Sequence, residues 1–116
     1  MSDTSVALRD FLDDWPDVPT IIINGDPLVE GMYSISEVDN NTGNTGKYHL
    51  TLNSPMEDGA TGILDYVDSL MVHIRATLSL ELPAGDLNFK QSNVTAILPF
   101  CSHNRTEIDI NYTVTL

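Results

Sequence analysis

The sequence predicts an α+β domain in which a mixed, mainly antiparallel sheet packs against one long and one short helix. Three observations carry this. The stretch GATGILDYVDSLMVHIR, residues 59–75, places Ile63, Val67, Leu70, Met71 and Ile74 at offsets of 3, 4 and 7. The last dozen residues alternate strictly, with Ile108, Ile110, Tyr112, Val114 and Leu116 on one side and Glu107, Asp109, Asn111, Thr113 and Thr115 on the other. Between and before them lie short β-branched or alternating runs separated by Gly, Pro and Asn clusters. The long helix buries one stripe, and the strands cover it.

Residues 4–15 form the short helix, because Leu8, Phe11, Leu12 and Trp15 share one face. Ser2, Asp3 or Thr4 caps it and Pro16 ends it. Asp10, Asp13, Asp14 and Asp17 crowd its C-terminal end, where negative charge opposes the helix dipole. They form either a solvated face or a surface directed at a basic partner or a polyanion.

Residues 20–23, Thr-Ile-Ile-Ile, read as a strand closed by the turn Asn24-Gly25-Asp26-Pro27. Residues 32–38 and 47–52 read as the arms of a hairpin, the second with Tyr48, Leu50 and Leu52 on one face. Residues 39–46, Asp-Asn-Asn-Thr-Gly-Asn-Thr-Gly, are too polar for a core and predict a long exposed tip. Long tips are common contact points, so Asn40, Asn41, Thr42, Asn44 and Lys47 are the candidate partner contacts.

Pro55 begins the connection into the long helix, Asp58 and Gly59 sit at its N-terminus, and Arg75 suits its C-terminal dipole. Leu78, Leu80 and Leu82 then alternate with polar residues until Pro83-Ala84-Gly85-Asp86 breaks the run. Residues 94–100 are expected to be a further strand, with Pro99 favouring an edge or an end.

The length of 116 residues fits one domain with a real core, and an apolar fraction of 41% argues against wholesale disorder. One cysteine, Cys101, excludes an intrachain disulfide and a four-cysteine metal site, and a small buried hydrophobe is its expected role. No basic region followed by an apolar run opens the chain and no apolar segment is long enough to span a bilayer, so a protein that is intracellular when made is expected. Asn40, Asn93, Asn104 and Asn111 begin glycosylation sequons that are then by-products of an Asn- and Thr-rich composition.

Seventeen acidic residues against Arg9, Lys47, Arg75, Lys90 and Arg105 give a net charge of −12 with no basic patch. Such a chain repels nucleic acid, since affinity for phosphate comes from Lys and Arg. Acidity of this kind maintains solubility or suits a high-salt environment.

No catalytic signature is present. His49, His73 and His103 fall on a strand, on the surface of the long helix and in a loop, without metal-ligand spacing. Residues 39–43 lack the EF-hand pattern, Asp65 and Asp68 make an ordinary charged helix face, and no serine has a recognisable base. No enzyme, metal or cofactor is expected.

The order of elements resembles the tail-terminator proteins of long-tailed phages and related viruses. The resemblance rests on ALRDFLDDWPDVPT, a short helix whose Trp-Pro exit enters the first strand, on KYHLTLNSPMEDGATGILDYVDSLMVHIRATLSL, a strand leading into a helix, and on the terminal RTEIDINYTVTL. It implies a virion structural protein, assembled in the host cytoplasm, that forms a six-membered homo-oligomeric ring. That ring would end tail-tube polymerisation and join the tail-tube protein to a head-side connector or stopper protein, with DNA passing through unbound and no membrane involved. In that setting Asp10, Asp13, Asp14 and Asp17 line the channel or an outer surface. Channel carboxylates act only in a narrow lumen, because screening limits their reach to roughly 8 Å at physiological salt. The alternative is a small acidic binding or inhibitor module that engages a basic protein through the same four aspartates.

Overall fold

The structure, a computed structural model, describes residues 3–23, 25–100 and 102–116. The proposed cap Ser2, the turn residue Asn24 and Cys101 lie outside the described residues. The chain is an α+β fold, a curled, mostly antiparallel sheet with two helices on one face.

Helix α1 spans Asp3–Asp13 and α2 spans Gly59–Thr77. The strands are β1 (Thr20–Ile21), β2 (Ser34–Asn41), β3 (Thr45–Pro55), β4 (Ser79–Leu82), β5 (Gly85–Val94), β6 (Leu98–Phe100) and β7 (His103–Thr115). They are ordered β1-β2-β3-β7-β5-β4, with β6 also paired to β7. Among the described residues only the pairing of β1 with β2 is parallel.

The helical stripe in α2 is buried as its spacing requires: Ile63, Val67, Leu70 and Ile74 face the sheet, with Met71 packed at the margin. Each such burial stabilises the fold by about 1.5–3 kcal/mol, and Leu70→Ala would remove about 2–5 kcal/mol once the cavity is counted. From α1, Leu8, Phe11 and Leu12 join the same core, and Trp15, just beyond the helix, is buried with its indole N–H on Ser69 Oγ at 2.8 Å. The sheet contributes Ile35, Tyr48, Leu50, Leu52, Leu87, Ile108, Ile110 and Tyr112. These are the inward positions of a period of two.

Helix α1 packs against β2, next to the short edge strand β1, and against the opposite edge strand β4. Polar side chains fix it to β2. The Thr4 and Ser5 hydroxyls both donate to Asp39 Oδ2 at 2.9 Å, and Tyr112 Oη donates to Asp39 Oδ1 at 2.5 Å. Arg9 Nη1 lies 3.0 Å from Glu37 Oε1, while the Tyr48 hydroxyl donates to Glu37 Oε2.

Several expectations are corrected. The first strand keeps only Thr20–Ile21, because after the Ile22 N–H bond to Ile35 O at 2.8 Å the chain leaves β2 in a loop. Residues 94–100 are not one strand: β5 ends at Val94 and β6 begins at Leu98. At the break, Thr95 pairs with β7 through its N–H and its hydroxyl, both hydrogen-bonded to Glu107 O. Strand β5 itself was not anticipated, and it carries a bulge between Phe89 and Ser92 that increases local twist. Leu78 is not in a strand but closes α2 at φ 61°, and is 69% exposed. The terminal strand keeps its inward face from Ile108 to Tyr112, but Leu116 is exposed.

Two histidines also move. His103 is not in a loop; it opens β7, fully buried, with Nε2 donating to Val29 O at 3.2 Å. His73 is not a plain surface residue but sits half-buried between the helices, against Phe11.

Candidate interaction surfaces

Because both helices lie on one face, the opposite face of β2, β3, β7 and β5 is wet, and the period of two decides what it displays. Lys47 and His49 on β3 stand beside Glu107, Asp109, Asn111 and Thr113 on β7. His49 Nδ1–H donates to Asp109 Oδ1 at 2.6 Å, and its Nε2 is 3.4 Å from Glu107 Oε1. Lys47 Nζ is 3.9 Å from Asp109 Oδ2, a loose contact. Toward the hairpin end, the face dips into a shallow depression of about 570 Å³ bordered by Asn40, Thr42, Lys47, Lys90, Asn111 and Thr113. The chain has two lysines, and both border this one depression.

The hairpin is present, but its tip is short. Pairing of β2 with β3 continues to Asn41↔Gly46, so most of residues 39–46 is strand. Gly43 takes φ 84°, Thr42 N–H reaches Thr45 O at 2.9 Å, and Asn41 Oδ1 accepts the Gly43 N–H at 3.0 Å. These bonds tighten the turn to a few residues.

The five candidate contacts are consequently split. Asn40, Thr42 and Lys47 border the depression on the wet face. Asn41 and Asn44 border a separate hollow beside Asp3, Thr4, Leu82 and Leu116. There Asn41 Nδ2 donates to Tyr112 Oη at 3.2 Å, and Asn44 O accepts the Val114 N–H at 2.7 Å.

The four candidate aspartates are all exposed, on the helical layer. Asp10 and Asp14 border one groove with His73, Thr77, Leu80 and Glu81. Asp13 lies 3.6 Å from Arg9 Nε, and Asp17 accepts the Ser69 hydroxyl at 2.5 Å. The run therefore divides between one pair facing β4 and two residues held by neighbours.

The surface cation that sequence reasoning left unplaced is Lys90, which borders the depression. Its signal was the pair Leu87 and Phe89, whose alternation marks the strand that carries it onto the wet face. No helix of the described residues is long and apolar enough to cross a membrane. Among the described residues no cluster of three His, Cys, Asp or Glu could hold a metal ion. What this surface can do chemically is recognise carboxylates with two ammonium groups and several amides and hydroxyls.

The architecture is that of a two-layer α+β protein with one covered and one open sheet face. No protein-family model matches the chain, and no curated protein matches it. One solved structure, whose name states no function, superposes with a TM-score of 0.69 at 9% identity, covering 98% of this chain and 92% of that one. At that identity the likeness is one of fold.

Proposed function

We propose that the protein is a viral structural protein, a tail terminator that forms a ring at the head-proximal end of the tail tube. The ring ends tube polymerisation and joins the tube to the neck without enzymatic chemistry. The observation that carries this reading is the one-sided placement of both helices, which leaves two unlike surfaces on opposite layers. Unlike surfaces are what a head-to-tail interface needs, and such interfaces close into rings when the rotation allows. A net charge of −12 also suits a channel that DNA traverses without sticking.

Light scattering across protein concentration and salt, followed by negative-stain imaging, tests the proposal. A closed ring of about six copies supports it, and a strict dimer at every concentration overturns it. The second reading, an acidic module for a basic partner, is favoured by the exposure of all four aspartates around the α1 exit. Asp13→Lys with Asp14→Lys would abolish capture of such a partner, whereas a terminator tolerates that change unless these residues line its channel or its contacts.

A further inference from the structure

A chain with net charge −12 repels its own copies, so a stable contact between copies must set cations against acids. The candidates for that role are few. Arg9 is engaged by Glu37 and Asp13, Arg105 borders a separate hollow with Glu107, and Arg75 is the one Arg or Lys of α2, without a second cation beside it on that helix. Lys47 and Lys90 are different. They share one depression on the open sheet face, Lys90 makes no ion pair among the described residues, and Lys47 makes only the 3.9 Å contact with Asp109.

Within the terminator reading, on which this inference rests, we propose that the Lys47–Lys90 depression receives the acidic α1 exit of a second copy of this chain. Asp10 and Asp14 enter it, with Asp13 at its rim. Asp10 and Asp14 are four residues apart, share one side of the α1 exit, and make no ion pair among the described residues. The depression is open and shallow, with the short side chain of Thr45 beside the lysines, so the end of a helix can approach. Asn111, Thr113 and Asn40 supply amides and hydroxyls around the ammonium groups.

The geometry excludes self-satisfaction, because donor and acceptor surfaces stand on opposite layers of one molecule. A pair of copies joined this way keeps one free lysine face and one free acidic exit, so addition continues until the ring closes. Joining by strand addition is disfavoured, since one edge strand, β1, has only two residues and α1 packs on the other, β4.

Two charge-reversed chains test the contact: Lys47→Glu/Lys90→Glu, and Asp10→Lys/Asp14→Lys. All four sites are solvent-exposed, and circular dichroism checks that each variant folds; Lys47→Asp/Lys90→Asp, which keeps the reversed charge, replaces the first should it not. Sedimentation velocity reads assembly. Each variant alone is expected to need about tenfold or more higher concentration than wild type to assemble. An equimolar mixture is expected to restore assembly at the wild-type mass, because each acidic face then meets a basic exit and each basic face an acidic exit. Wild-type assembly that both variants retain overturns this contact while leaving the ring standing. Impaired variants that fail to rescue each other in the mixture also overturn it. A wild-type chain that stays monomeric at every concentration overturns contact and ring together.

Discussion

The ring of Phe11 lies on the imidazole of His73, centroids 4.4 Å apart and planes at 18°, and the Nε2–H of that imidazole donates to the Phe11 carbonyl at 2.8 Å. A carbonyl only accepts, so Nε2 carries the proton. One side chain of α2 thus grips both the ring and the backbone of α1.

His73→Ala removes the stack and the hydrogen bond and should destabilise the fold by about 1–2 kcal/mol. His73→Phe keeps a ring on Phe11 and should lose about half as much. Urea denaturation of the three proteins, compared at equal m-value, checks the order.

Gly46 is glycine because Tyr112 occupies the space beside it. A Cβ there would fall 2.2 Å from Tyr112 Cζ and Oη. Gly46→Ala must push the phenol away from Asp39, and about 1–3 kcal/mol of stability should be lost. Thermal melts check the loss, and Gly46→Ala combined with Tyr112→Leu should recover part of it.

Tyrosine ionisation should set the alkaline limit. The hydrogen bond to Asp58 raises the Tyr33 phenol to about 12, with burial adding to the effect. Burial first, and then the Glu37 carboxylate, push Tyr48 up; burial first, and then Asp39, push Tyr112 up. A phenol whose folded pKa exceeds its unfolded value of about 10 favours folding at lower pH. That stability is complete below about pH 10 and declines as pH rises through about 12 for Tyr33. Phenolate absorbance, followed together with circular dichroism, should show Tyr48 and Tyr112 ionising only as the fold is lost.

Leu78 carries a φ of 61° at the end of α2, a region where a side chain clashes with its own backbone. It is largely exposed, so little burial is at stake. Leu78→Gly should raise stability by about 1 kcal/mol, measured as a higher urea midpoint with an unchanged slope.

The elements that could be read from sequence are those whose apolar residues repeat without interruption. Helix α2 and the inward run Ile108, Ile110 and Tyr112 are examples, because each buries one face along most of its length. Strand β5 was hidden by its bulge, which breaks the alternation after Leu87 and Phe89, leaving Lys90, Gln91, Ser92 and Asn93 with the look of a loop. The short hairpin tip was hidden by composition. Asp39 and Asn41 are poor strand formers, yet Asp39 accepts from Thr4, Ser5 and Tyr112, and that tertiary network outweighs propensity. The lysine pair was out of reach for a different reason: its members meet only through the order β3-β7-β5, which no local pattern encodes.

Strand β7 ends the described chain yet occupies the middle of the sheet, flanked by β3 on one side and by β5 and β6 on the other. While the chain is being made, β2, β3 and both helices emerge without the strand that joins them to β4 and β5. Their apolar faces stay open until β7 has been made, so the core closes through pairings distant in sequence. A chain without β7 therefore has two half-sheets with nothing to join them.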